Sequence, residues 1–109
     1  MRIHHLALRT RDVARLVRFY ADTLGLPVLR RDEARGSVWL DAGGPVVMIE
    51  RAGDSEPSIE PGSMELVAFA VEDKESWRAR VAVDAETTHT LYFRDPDGRR
   101  VAVSDYPLP

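Results

Sequence analysis

The stretch HHLALRTRDVARLVRFYADTLGLPV, residues 4–28, decides how the rest of the chain is read. It opens in alternation. Ile3, His5, Ala7 and Arg9 point one way and His4, Leu6 and Leu8 the other, as in a strand with two unlike faces. Asp12 stands where a helix N-cap belongs. Val13, Leu16, Val17, Tyr20 and Leu24 then recur at helical spacing as one apolar stripe, with Arg11, Arg15, Arg18 and Asp22 on the wet side. Gly25 is a helix stop, and Pro27 forbids continuation.

Three short strands are predicted next: PVLRRDE (27–33), GSVWLDA (36–42) and GGPVVMIER (43–51), with a turn near Ala34–Gly36. Residues 1–51 therefore read as one βαβββ unit. AGDSEPSIEPG, residues 52–62, is rich in Gly, Pro, Ser and acids and has no period, so it reads as a surface linker. The pattern restarts over residues 63–109. MELVAFAV takes the place of the first strand, EDKESWRARV that of the helix at about two turns, and VAVDAE, HTLYFRD and RRVAVSDY are three strands. DPDG (95–98) is a tight turn, its aspartates serving local backbone hydrogen bonds. The class is α+β: an internal repeat within a single domain, 1–109, whose second unit is shortened. Neither unit can bury both a sheet face and a helix stripe alone, so two units pair, within one chain or between two.

The bulk composition excludes several functions. A net charge of −3 without a basic patch argues against a nucleic-acid partner. The absence of cysteine removes disulfides, thiolate metal sites and cysteine nucleophiles. It also fits a reducing cytoplasm, the expected location. The N-terminus lacks a signal-peptide apolar core, and no apolar run approaches the ~18 residues of a membrane span. Phosphate-binding glycine loops, dinucleotide fingerprints, zincin and serine-hydrolase motifs are all missing.

On HHLALRTRDVARLVRFYADTLGLPV and LYFRDPDGRRVAVSDYP, together with the repeated βαβββ pattern, the chain resembles the vicinal oxygen chelate superfamily, which includes glyoxalase I, bleomycin-resistance proteins and extradiol dioxygenases. The resemblance spans nearly the whole chain. It implies a curled, eight-stranded cleft made by the two units, and a homodimer, swapped or unswapped. Members that use a divalent metal (Fe, Mn, Ni or Zn) place ligands at four positions on the cleft's inner face. By the resemblance these fall on His5, on Glu50 or Met48 depending on strand register, on Leu66, and on Ala102, four residues after Gly98. Leucine and alanine cannot bind a metal, so at best a His5–Glu50 pair remains, short of the three ligands such sites generally need. No metal cofactor is expected.

The candidate ligand-binding residues are His5, Arg9, Trp39, Met48, Tyr92 and Arg100. Arginines in a cleft suit an anionic ligand, and Trp39 and Tyr92 can wall a pocket for an apolar or aromatic one. His5 can donate or accept a hydrogen bond, and Glu50 can serve as a general base or simply end its strand. His4 reads as structural, His89 as a loop histidine able to replace a lost ligand, and Trp77 as core. The leading expectation is a metal-independent binder of a small organic molecule in the inter-unit cleft. The alternatives are a metal-dependent lyase, isomerase or dioxygenase using His5 and Glu50, and an interaction module without a site.

Overall fold

The computed structural model describes residues 1–109. Contacts divide the chain into two compact units, Met1–Ser58 and Ile59–Pro109.

In the first unit the alternating stretch forms β1 (His5–Thr10), and the apolar stripe forms α1 (Val13–Val17) followed by a π-helical turn (Arg18–Thr23). Asp12 caps α1 by accepting from the Arg15 backbone N–H at 3.1 Å. The sequence predicts one continuous helix to Leu24, whereas its second half is wound more widely. The Leu24 N–H donates to the Phe19 carbonyl, five residues back, and the Leu26 N–H to the Tyr20 carbonyl. These bonds satisfy helix-end carbonyls as the chain turns at Gly25, whose φ of +80° is left-handed.

β2 (Val28–Asp32), β3 (Ser37–Asp41) and β4 (Val46–Arg51) complete a sheet of order β1-β4-β3-β2, with β1 and β4 parallel and the other pairs antiparallel. The helical segment covers one face. Leu16, Val17, Tyr20 and Leu24 are buried there with Leu8, Val38, Leu40, Val47 and Ile49, and Leu16, Leu40 and Ile49 are wholly inaccessible. The opposite face carries His5, Ala7 and Arg9 from β1, and Met48 and Glu50 from β4. Trp39 and Ser37 from β3, and Arg30 and Asp32 from β2, complete it. No helix covers this face within the unit.

The second unit repeats the order. β5 (Leu66–Ala70), β6 (Ala85–Glu86), β7 (Thr90–Arg94) and β8 (Arg100–Ser104) form a sheet of order β5-β8-β7-β6, with β5 and β8 parallel. The eight strands thus form two four-stranded mixed sheets. Leu91, Phe93, Val101 and Val103 make the core.

Three expectations for this unit need correction. The expected two-turn helix is a single 3₁₀ turn, Lys74–Trp77, and the strand VAVDAE is reduced to two residues. The intervening chain makes a turn, Arg80 N–H to the Trp77 carbonyl, and Asp84 N–H then bonds the Tyr92 carbonyl next to the short β6–β7 pairing. Trp77 is not fully in the core. It is half-buried, with the Arg80 guanidinium stacked 4.5 Å from its ring centroid. The buried residue of that turn is Lys74, whose ammonium donates to the Thr87 carbonyl at 2.8 Å and to Glu86 at 3.3 Å.

The DPDG turn is built as its sequence predicts. Asp95 Oδ1 accepts from the backbone N–H of Asp97 and of Arg99, at 2.9 and 3.0 Å, and Gly98 has φ +91°.

Candidate functional site

Cross-strand register arranges the helix-free face of the first unit in rows. One row runs Arg30, Trp39, Met48, Ala7, and the next Asp32, Ser37, Glu50, Arg9. An apolar strip therefore lies beside a polar one, about 7 Å away along the strands. A concavity of about 440 Å³ opens over the two rows, lined by Arg30, Asp32, Arg35, Ser37, Trp39, Met48 and Glu50.

Its charges are unevenly paired. Asp32 accepts from the Arg35 backbone N–H at 3.2 Å and has the Arg30 and Arg35 guanidiniums at 3.8 and 4.0 Å. Arg30 also sits 5.2 Å from the Trp39 ring centroid, within cation–π range. Glu50 is half-buried, and its nearest cation is Arg9 at 3.8 Å, beyond hydrogen-bond reach. Arg9 is engaged elsewhere: it donates from Nε and Nη2 to the two carboxylate oxygens of Glu56, at 3.0 and 2.8 Å. That bidentate bond, reinforced by the Gly53 backbone N–H, holds the Glu56 carboxyl at a pKa of about 2.

Glu56 corrects the reading of residues 52–62 as a plain linker. Arg11 donates to Ser58 Oγ at 3.1 Å, to the Asp54 carbonyl at 3.3 Å, and to the Glu56 carbonyl. Residues 53–58 are thereby laced to the end of β1.

The structure groups the predicted site residues only in part. Trp39, Met48 and Glu50 line the concavity. His5 and Arg9 share their face but lie outside the lining. The His5–Glu50 metal pair is corrected by register: Glu50 lies opposite Arg9, whereas Val46 lies opposite His5. Four residues of strand put His5 and Glu50 about 13 Å apart. His5 is exposed, with its Nδ1 2.9 Å from that of His4. In the second unit Tyr92 and Arg100 share a sheet face, the guanidinium 4.1 Å from the ring centroid. His89 lies in the second unit, with its Nδ1 2.9 Å from Asp105 Oδ1.

Sequence reasoning did not find Arg30, Asp32, Arg35, Ser37 or Glu56. The first four join the site through the β2–β3 pairing, which shifts register between Val28 and Arg30, and no local pattern encodes that shift. Glu56 joins through a contact across 47 residues.

A family model described as the Glyoxalase/Bleomycin resistance protein/Dioxygenase superfamily matches residues 2–103. The chain belongs to this superfamily.

Solved structures show the same fold. The fosfomycin resistance protein FosX from Mesorhizobium loti is similar at TM-score 0.78 and 17% identity, covering 95% of this chain and 90% of that one. The trypanothione-dependent glyoxalase I of Leishmania major gives 0.77 and 23%, over 95% and 86% of the two chains. TnmS3, an antibiotic-binding protein from Streptomyces sp. CB03234, gives 0.75 and 20%, over 95% and 94%. No curated protein sequence matches the chain.

Many members of the superfamily use a divalent metal. Within neither unit do three His, Asp or Glu side chains gather as a metal site requires. Leu66 and Ala102 supply no donor atom, and Ala102 is fully buried. No helix is long and apolar enough to cross a membrane.

Proposed function

We propose that this superfamily member binds a small organic molecule without a metal, on the helix-free face of the first unit. The concavity over Trp39, Met48 and Glu50 carries this reading. It joins an aromatic and a thioether surface to a few placed polar groups, the usual make-up of a small-molecule site. Leucine and alanine at two of the superfamily's four ligand positions support the absence of a metal. One of the similar structures, described as an antibiotic-binding protein, is consistent with a ligand-sequestering role.

In this reading the protein acts as a homodimer in the cytoplasm. The second sheet has only a 3₁₀ turn for helical cover, and Val67, Phe69 and Trp77 stay half-exposed, which leaves apolar surface for a second copy. The lack of cysteine suits a reducing compartment.

The test is a fragment screen followed by fluorescence titration of a Trp77→Phe variant, in which Trp39 is the only tryptophan. Saturable quenching that Met48→Ala weakens about tenfold is expected. A chain that binds no fragment at this face would refute the proposal.

A further inference from the structure

Resting on that reading, we infer that the ligand carries a cationic nitrogen that pairs with Glu50, and that Glu56 is the positioning residue that keeps Glu50 available, by holding Arg9.

Three observations support this. First, Glu50 is the carboxylate of the concavity that accepts no hydrogen bond; its one ion pair is with Arg9, at 3.8 Å. Asp32 is met by a backbone N–H and flanked by two guanidiniums, whereas the nearest cation to Glu50 is 3.8 Å away. A partly desolvated carboxylate without a hydrogen-bonded cation gains more from an incoming ammonium than a solvated or paired one. Second, Arg9 lies directly opposite Glu50 in the β1–β4 register and is its natural partner, yet its Nε and Nη2 donors are spent on Glu56, which holds Nη1 at 3.8 Å from Glu50. Releasing Arg9 would let it close the remaining gap and neutralise Glu50. Third, the cation–π position on Trp39 is already taken by Arg30, 5.2 Å from the ring centroid. A second cation over that ring would be repelled, so the ammonium belongs at Glu50 and the apolar body at Trp39 and Met48. An anionic ligand would find Arg30 and Arg35 both exposed and both already beside Asp32.

The experiment uses the full chain, ¹⁵N-labelled, titrated with three probes of one shape: tryptamine (cationic), 3-methylindole (neutral) and indole-3-propionate (anionic). Amide shifts of Ser37, Trp39, Met48 and Glu50 report the site. Tryptamine is expected to bind about tenfold more tightly than 3-methylindole, with the propionate no better than the neutral probe. Glu50→Gln removes that preference. Glu56→Ala also removes it, and Arg9→Met in the Glu56→Ala background restores it, which loosening of the loop alone would not do.

Equal binding of tryptamine and 3-methylindole, or a preference that survives Glu56→Ala, overturns the inference and leaves small-molecule binding standing. If none of the three probes shifts these amides, the ligand-binding reading fails with it.

Discussion

Glu56 grips Arg9 through two hydrogen bonds, 3.0 and 2.8 Å, although Arg9 lies opposite Glu50 in the sheet. The connecting segment after β4 thus sets the charge environment of the first unit's helix-free face.

The grip is pH-dependent in a defined direction. Hydrogen bonding to Arg9 lowers the Glu56 pKa from 4.5 to about 2, and hydrogen bonding to Arg78 does the same for Glu86. A depressed carboxylate contributes stability that is fully present above its unfolded pKa and is lost as pH falls through the folded one. Both clamps should therefore hold at pH 5 and loosen between about pH 4.5 and 2. Carbon-detected titration of the two carboxyls, with amide exchange of residues 53–58, checks this. Glu56→Ala should expose those amides already at neutral pH.

Lys74 is the buried residue of the second unit's 3₁₀ turn. Lys74→Met removes the donor to the Thr87 carbonyl and the contact with Glu86. Because Glu86 is 45% exposed, most of the loss comes from the carbonyl, at about 1 kcal/mol. Urea unfolding should show it as a lower midpoint at unchanged slope. Amide exchange should quicken first around Ala85–Thr87.

Asp95 acts in the turn, not in chemistry. Its side chain is inaccessible and holds two backbone N–H groups and Arg99. Asp95→Ala should cost about 1–3 kcal/mol by orphaning those donors, while leaving ligand affinity at the Trp39 face unchanged.

Leu16→Ala probes the helix-covered core of the first unit. Leu16 is wholly inaccessible, so the cavity should cost about 2–5 kcal/mol in calorimetric or denaturant unfolding. A loss below about 1 kcal/mol would mean the helical segment packs less tightly than its burial implies.

The legible features were the local ones. Val13 to Leu24 repeat at helical spacing, and that stripe is the buried one even though its second half is π-wound. His5, Ala7 and Arg9 alternate, and they do share a face. Register was not legible. Met48 and Glu50 are two apart, so either phase of pairing keeps both on the same face, and only the ladder shows Glu50 beside Arg9 rather than His5. Arg30 and Asp32 enter through an irregular β2–β3 pairing. Glu56 sits in a run of acids that reads as solvated, because nothing in its neighbourhood announces a partner in β1. Periodicity reports which face a residue takes; it carries no information about which residue meets it across the sheet.

The most direct test of metal-free binding at the Trp39 face is one titration run twice. The best fragment from the screen is titrated into protein dialysed against EDTA, then into protein given one equivalent of Fe(II), Mn, Ni or Zn, with the Trp39 indole resonance followed in each. Metal-free binding predicts the same affinity in both and the same shifted residues around Trp39, Met48 and Glu50. Binding that appears only with a stoichiometrically retained metal, and disappears in His5→Ala, would contradict it.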